Sequence, residues 1–239
     1  MARHVDDIEP MFVRESDMAA VVANWMKSSG LAAVKSEFVT PWGICDLVGL
    51  TFNRKKELRR LQQKQTRAIT SITRAVLLIQ IPDVEEGGWT TLARLVRQFA
   101  PSLPEDVVSE QIDRLIAGGF VVAHSRGRLQ KVNGWMPLQD RLVAVELKLS
   151  RVAEAMRQAL NHLGFAEESY VGLPANVARR VASSAFRWSD FFEAGVGLLS
   201  VTQRGCKVLV RSLPNRKWID DAIQLYCVEK FWPPHIKGN

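Results

Sequence analysis

The chain has 239 residues and a mass of 26.9 kDa, which is the size of one large domain or two small ones. Hydrophobic residues make up 47% of it and charged residues 24%, so it is a folded globular protein rather than a disordered, collagen-like or low-complexity chain. Its net charge of +7 favours a polyanionic partner.

The location of the protein is predicted from its cysteines and its first residues. Cys45, Cys206 and Cys227 are too few and too scattered for a disulfide framework, and no two of them have the CxxC spacing of a zinc site. The opening MARHVDDIEP has no apolar stretch of the kind found in signal peptides, and no run of about 18 apolar residues could span a bilayer. We therefore expect a cytoplasmic protein that does not contact a membrane.

The first elements are a helix and a hairpin. Apolar residues recur at helical spacing over 13–28, and Gly30 follows where such a helix would end. Two runs with the composition of β-strands, over 33–39 and 44–52, are separated by the turn-forming residues 41–43. The sequence therefore predicts an amphipathic helix followed by two strands in a hairpin.

The character of the chain changes after Phe52. The sequence RKKELRRLQQKQTR predicts a basic helix that continues into an apolar stretch over 69–81 and ends at Pro82. From Asn53 to Gln139 there are six more basic than acidic residues, which is nearly all of the excess positive charge of the chain. We therefore place a domain boundary here.

Two short helices and a second hairpin are predicted next. The first helix follows Thr90, interpreted as its N-cap, and the second runs over 104–117 from a proline to two glycines. Two short strands then flank a turn at 125–127. Three helices followed by a hairpin is the order of a winged helix-turn-helix.

The remainder alternates strands and helices. A strand from Arg141 places Val143, Val145, Leu147 and Leu149 on one face, while its other face is mostly polar. The further predicted elements are a helix over 152–167, a strand over 170–173, one or two helices over 177–192, paired strands over 196–201 and 207–211, and a last helix over 216–229. The predicted fold class is α/β.

Two carboxylates and one amine carry the predicted chemistry. Period-two geometry places Glu146 and Lys148 on the same side of one strand, roughly 7 Å apart. Asp46 lies in the apolar strand sequence ICDLVGL, where a buried carboxylate requires a cation or hydrogen-bond donors. Two converging carboxylates are suitable ligands for Mg²⁺, which could activate a water for attack on a phosphodiester while Lys148 holds that water or stabilises the developing negative charge.

At these residues the chain resembles the PD-(D/E)xK nuclease superfamily, whose fold is also called restriction-endonuclease-like. The resemblance rests on a leading helix, GICDLVGL, VAVELKLS, a following helix and SYVGLP, and it covers about 1–52 and 140–212. In the family the Asp and the Glu bind a divalent metal and the Lys assists the attacking water. The resemblance therefore implies catalytic roles for Asp46, Glu146 and Lys148, with Mg²⁺ (or Mn²⁺) held by Asp46 and Glu146.

Some branches of the family also use a Glu in the first helix and a Gln in the helix after the motif. The matching residues here are Glu15 and Gln158, which are expected in supporting roles. The chain departs from the family in two ways: Cys45 replaces the proline of the motif, and 100 residues separate Asp46 from Glu146. A domain inserted between two neighbouring core strands explains that separation.

The implied architecture is a central mixed sheet flanked by helices, with an inserted winged-helix domain. Residues 1–52 would form the first part of the nuclease core, 53–139 the insertion, and 140–239 the second part of the core with a C-terminal helix and tail. The expected function is metal-dependent DNA endonuclease activity. The alternative is a catalytically inactive DNA-binding or adaptor protein with the same fold, and RNA as the substrate has no positive feature behind it.

Basic residues of the insertion are the candidate DNA contacts. The third helix of the winged helix carries four acidic residues against Arg114, so it is poorly suited to reading bases, and it could instead dock a protein partner. Phosphate contacts are expected from the basic helix and from the hairpin. The candidates are Lys55, Lys56, Arg59, Arg60, Arg126, Arg128 and Lys131.

Several residues also have simpler interpretations. An ExK pair alone is typical of the solvated face of a strand, and a basic run is typical of a solvated helix face. The four histidines have no metal-ligand spacing, and each is interpreted as a surface or structural residue: His4, His124, His162 and His235. The tail FWPPHIKGN could dock a protein partner or pack onto its own domain, and the oligomeric state stays open.

Overall fold

The computed structural model describes residues 12–132, 137–214 and 217–232. These residues form two compact units. The sheet unit comprises Met1–Thr51 with Arg141–Ile219, and the helical unit comprises Phe52–Asp140 with Asp220–Asn239. Within the described ranges, no helix has both the length and the apolar character needed to cross a bilayer.

The sheet unit is built on six strands. They are β1 (Ala33–Thr40), β2 (Gly43–Phe52), β6 (Gln139–Leu147), β7 (Glu168–Pro174), β8 (Val196–Thr202) and β9 (Gly205–Val210). They lie side by side in the order β1-β2-β6-β7-β8-β9. Strands β6, β7 and β8 are parallel, whereas the hairpins β1–β2 and β8–β9 are antiparallel. The sheet is therefore mixed, which confirms the α/β class.

Helices cover both faces of this sheet. They are α1 (Glu15–Ser28), α6 (Val152–His162), α7 (Ala175–Ser183) and α8 (Ser189–Glu193), with a 3₁₀ turn over Ala185–Trp188. Helix α1 buries Met18, Val22 and Met26 in a cluster that includes Tyr170. Val171, which follows Tyr170 in β7, instead packs in the cluster formed with α6 and α7. Because successive strand residues point to opposite faces, α1 lies on one face and α6 and α7 on the other.

Close packing holds α1 against β2. A Cβ atom at Gly49 would lie 2.8 Å from both Leu31 Cδ1 and Met26 Cε, so a larger residue would displace these two side chains. Helix α1 begins at Glu15, and Asp17 in its first turn accepts a hydrogen bond from the Arg14 N–H. Near the start of α1, Met18 packs in the same cluster as Leu47, the residue that follows Asp46 in β2.

The helical unit contains five helices and a small sheet among its described residues. The helices are α2 (Arg54–Gln62), α3 (Ile72–Gln80), α4 (Leu92–Phe99), α5 (Glu105–Ala117) and α9 (Asp221–Glu229), and the strands are β3 (Thr90–Thr91), β4 (Val121–Ala123) and β5 (Arg128–Lys131). The strand order is β3-β5-β4, and both pairings are antiparallel. Leu77, Leu95, Ile112 and Leu225 pack together in one core that joins α3, α4, α5 and α9.

Four details differ from the sequence-based predictions. The basic helix does not continue into the apolar stretch, because α2 ends at Gln62 and α3 begins separately at Ile72. The N-cap of α4 is Thr91, whose hydroxyl accepts from the Arg94 N–H, while Thr90 belongs to β3. Helix α6 ends at His162 rather than at residue 167, because the chain turns through Gly164 before β7. The last helix begins only at Asp221, where the Asp220 side chain caps it.

The last helix also belongs to a different unit from the one predicted. The sequence assigns it to the second part of the sheet domain, but α9 packs against α3 in the helical unit. Leu225 points into the helical core, and Glu229 forms a buried ion pair with Arg60 of α2. The residues after Trp232, which include most of the predicted docking tail, lie outside the described residues.

Arg60 is part of the interior, which corrects its prediction as a DNA contact. Its guanidinium forms two hydrogen bonds with the Glu229 carboxylate and also donates to the carbonyls of Gln65 and Arg67. It stacks on the rings of Phe120 and Trp232, at 5.1 Å and 4.6 Å from their centroids. A phosphate could reach it only if these contacts broke.

We predict that Arg60→Ala lowers the free energy of unfolding by about 3–5 kcal/mol, because it leaves the Glu229 carboxylate buried without its cation. Urea unfolding followed by circular dichroism measures the change. Arg59→Ala is the matched control, since Arg59 pairs with Glu85 in an exposed ion pair that contributes about 0–1 kcal/mol. Equal losses for the two variants would contradict the structural role of Arg60.

Candidate functional site

Asp46 and the Glu146–Lys148 pair meet where β2 and β6 are neighbours in the sheet. The Leu147 backbone N–H donates a hydrogen bond of 2.7 Å to Asp46 Oδ2. Lys148 Nζ donates to Glu146 Oε1 at 2.6 Å. The structure therefore brings together the three residues for which the sequence predicts catalytic roles, although about a hundred residues of chain separate the first from the other two.

The two side chains of the ExK pair are buried. The Glu146 side chain is 2% exposed and the Lys148 side chain 7%. Charged side chains on a solvated strand face remain in water, so the interpretation of this pair as a solvated face is wrong. Burial of a carboxylate and an ammonium together is costly unless both are paired, and here they pair with each other.

Glu15 reaches the same place from the start of α1. Its Oε1 accepts a hydrogen bond of 3.3 Å from the Leu149 N–H, and its Oε2 lies 3.8 Å from Lys148 Nζ. The structure thus places this predicted supporting residue beside the lysine. Three carboxylates, from Glu15, Asp46 and Glu146, act electrostatically on this one ammonium group.

The backbone opposite Asp46 is strained. Ser36 pairs with Leu47 and Phe38 pairs with Cys45, so Glu37 lies across the hairpin from Asp46. Glu37 has a φ of 48°, in the left-handed region that L-residues seldom adopt. Such strain is common beside functional sites, and it occurs here next to the isolated carboxylate of β2.

The charges of the site shift one another's pKa values. Burial raises the pKa of Glu146 to about 7, even though the hydrogen bond from Lys148 acts in the opposite direction. Burial also raises the pKa of Asp46, against the Leu147 hydrogen bond. Burial opposes the charge of Lys148, but its hydrogen bond to Glu146 and the surrounding carboxylates outweigh this and raise the pKa of Lys148. The raised pKa values mean that the present hydrogen bonds do not fully offset the cost of burying the ionised carboxylates of Asp46 and Glu146. One more cation would stabilise these ionised forms.

The donor set fits a divalent cation. Glu146 Oε2 is buried and has no hydrogen-bond partner among the described residues, and Asp46 uses Oδ2 for its hydrogen bond and retains Oδ1 for a ligand. Carboxylate oxygens are the ligands that Mg²⁺ prefers, usually one or two of them together with waters. Asp46 and Glu146 are therefore the residues that could hold such an ion.

Gln158 lies on α6, on the face that also carries His162 one turn later. Its amide Oε1 is buried and has no hydrogen-bond partner among the described residues. Within those residues it forms no hydrogen bond with Asp46, Glu146 or Lys148, so the structure does not join this predicted supporting residue to the other three.

Two residues without a predicted role adjoin Glu146. His162 Nε2 lies 3.9 Å from Glu146 Oε2, and His162 Nδ1 lies 3.7 Å from Cys45 Sγ. Burial and the charge of Lys148 lower the pKa of His162 to about 4, while burial and Glu146 raise the pKa of Cys45 well above its usual value. The sequence contains one signal for His162, because it follows Gln158 by four residues and so lies on the same face of the predicted helix. That spacing does not show that His162 faces Cys45 and Glu146, which depends on how α6 packs on the sheet.

The predicted DNA contacts of the helical unit differ in exposure. Lys55 is exposed on α2 and Lys56 partly so, whereas Arg59 is paired with Glu85. Arg126 is exposed in the turn between β4 and β5. Arg128 is exposed and its guanidinium stacks on Trp89, 4.5 Å from the ring centroid, and Lys131 is partly buried in β5.

Comparison of the chain with protein-family models, with curated proteins and with solved structures found no match in any of the three.

Proposed function

We propose that this protein is a metal-dependent DNA endonuclease of the PD-(D/E)xK type. The observation that carries the proposal is the hydrogen bond from the Leu147 N–H to Asp46, because it brings an isolated carboxylate beside the ExK pair. Two carboxylates and one lysine grouped at the end of neighbouring strands suit the hydrolysis of a phosphodiester.

The order of the elements around these residues also supports a restriction-endonuclease-like core. A helix precedes the hairpin that carries Asp46, β6 carries the ExK pair, and α6 leads to the parallel strand β7. The larger part of the helical unit, from α2 to β5, lies between β2 and β6 in the chain, as expected for an insertion between neighbouring strands, whereas α9 follows β9. Glu15, from the first helix, lies beside Lys148.

In the proposed reaction Asp46 and Glu146 hold Mg²⁺ or Mn²⁺. The bound ion would polarise the phosphodiester and make a bound water more acidic. Lys148 is held in place by Glu146 Oε1 and by the nearby Glu15, so its ammonium needs little rearrangement to orient the attacking water or to offset charge on the phosphate. Glu15 acts as a positioning residue through Lys148.

The helical unit is the proposed DNA-holding part. Its order of helix, strand, two helices and two strands, from α3 to β5, supports the winged-helix interpretation. Helix α5 begins with Glu105 and Asp106, and Arg114 pairs with Glu110, so this helix offers little to a DNA groove. Contacts to phosphates are instead proposed for Lys55 and Lys56 of α2 and for Arg126 and Arg128 of the hairpin.

We predict that the purified protein converts supercoiled DNA to nicked and linear forms with Mg²⁺ or Mn²⁺, and that Glu146→Gln and Lys148→Met each lower the rate at least about a hundredfold. Each substitution removes a charge from the site with little change in side-chain volume. Gel electrophoresis of timed samples gives the rates.

The matched controls are Glu193→Gln and Lys207→Met, which remove the same charges from exposed positions of the sheet unit. Both should cleave DNA at the wild-type rate. If the wild type and all four variants bind DNA without cleaving it, alone and with proteins that co-purify, the catalytically inactive adaptor function replaces the nuclease.

A second prediction concerns the metal itself. Titration calorimetry with Mg²⁺ or Mn²⁺ should give binding heat with the wild type and little with Asp46→Asn, because the amide lacks the negative charge of the ligand. Asp190→Asn makes the same change at an exposed position of α8 and should bind as the wild type does. Equal heats for the two variants would contradict Asp46 as a ligand.

A third prediction concerns the basic helix. Lys55→Gln combined with Lys56→Gln should reduce the slope of log affinity for DNA against log salt by about 0.9 for each phosphate that the helix no longer neutralises. Arg94→Gln with Arg97→Gln removes the same charge from exposed positions of α4 and should leave the slope nearly unchanged. If the two double variants shift the slope equally, α2 has no special role in holding DNA.

A further inference from the structure

A second group of metal-ligating side chains lies on the α6 side of Glu146. Cys45, Glu146 and His162 each offer one ligand atom, and these atoms all lie within 4.8 Å of one another. The three residues are 0%, 1% and 7% exposed. They come from three separate elements, β2, β6 and α6, so the fold rather than local sequence spacing brings them together.

We propose that Cys45, Glu146 and His162 form a binding site for a thiophilic transition-metal ion, with Zn²⁺ as the best-fitting ion. A thiolate, an imidazole and a carboxylate are all zinc ligands, and three protein ligands leave a fourth position open. Thiolate and imidazole ligands select against Mg²⁺. This site therefore differs in chemistry from the oxygen-ligand site proposed for Asp46 and Glu146.

Glu146 gives a second reason for an ion at this place, and because Oε2 is also its free oxygen in the proposed Mg²⁺ site, the two ions would exclude each other. Its Oε2 atom is buried, points towards His162 Nε2 at 3.9 Å, and has no hydrogen-bond partner among the described residues. A buried carboxylate oxygen without a partner is costly, and a metal bond at Oε2 removes that cost. The other oxygen, Oε1, is already occupied by Lys148.

The three ligand atoms must move closer together to share one zinc ion. Zinc bonds of about 2.3 Å to sulfur and about 2.0–2.1 Å to nitrogen or oxygen place tetrahedral ligand atoms roughly 3.3–3.6 Å apart. The three ligand atoms of this group lie within 4.8 Å of one another, so side-chain movements of roughly 1 Å would bring them to zinc spacing. His162 Nδ1 faces Cys45 Sγ at 3.7 Å and His162 Nε2 faces Glu146 Oε2 at 3.9 Å, and only one of these two nitrogens can bind the ion. On binding, Cys45 Sγ exchanges its proton for the metal, and the proton is released to solvent.

The test uses Co²⁺, which takes zinc sites and absorbs light when a thiolate binds it. Titration of the reduced protein should produce a near-ultraviolet thiolate-to-cobalt band that saturates at one ion per chain and that Zn²⁺ abolishes. Cys45→Ser should lose the band, and His162→Asn should weaken cobalt binding at least about tenfold. Circular dichroism of each variant shows whether it is folded.

Two controls make the outcome specific. Cys227→Ser removes another buried thiol, and it should keep the band. Asp46→Asn should also keep the band while it loses the heat of Mg²⁺ binding, so the zinc site and the proposed nuclease can fail separately. The zinc site is overturned if the wild type gives no band, if Cys45→Ser retains it, or if Cys227→Ser abolishes it. Should Cys45→Ser not fold, an unchanged cobalt affinity in folded His162→Asn overturns the site equally.

Discussion

The hydrogen bond between the Leu147 backbone and the Asp46 carboxylate is the constraint on which the site depends. It forms where β2 and β6 are neighbours, and it fixes one carboxylate oxygen against the strand that carries the ExK pair. A backbone donor cannot rotate away as a side chain can, so Asp46 keeps its orientation as long as the sheet is intact. Every role proposed for Asp46, Glu146 and Lys148 follows from this arrangement.

The burial of Glu146 and Lys148 is better explained by the proposed reaction than by a gain in the free energy of folding. A buried ion pair such as Glu146–Lys148 commonly adds no net stability over apolar residues of similar size. Burial raises the pKa of Glu146 to about 7, although the hydrogen bond from Lys148 acts in the opposite direction. Arg60 and Glu229 form a better-satisfied pair, because two carbonyls and two aromatic rings also contact the guanidinium.

The three residues predicted to be catalytic share one property: each stands out against its own local pattern. Asp46 interrupts an apolar strand, and Glu146 and Lys148 alternate with aliphatic residues. Because an ExK pair alone is typical of a solvated strand face, their catalytic roles also depend on the resemblance to the nuclease superfamily. The mixed sheet followed from the same patterns. Cys45 and His162 stand out in no such pattern, since their contact depends on how α6 lies on the sheet.

Arg60 is predicted as a DNA contact but is buried. Nothing near it in the polar helix distinguishes it from Arg59, and its partner Glu229 is 169 residues further along the chain. The grouping of α9 with the helical unit was missed for the same reason.

The pairing of Arg60 with Glu229, 169 residues later in the chain, has a consequence for biosynthesis. Helix α2 is translated well before α9, which supplies Leu225 to the helical core and Glu229 to Arg60. In the interval the nascent helical unit has an uncompensated arginine and an uncovered apolar surface, the condition that attracts chaperones during translation. Completion of this unit must therefore wait until the whole second part of the sheet unit, Arg141–Ile219, has been synthesised.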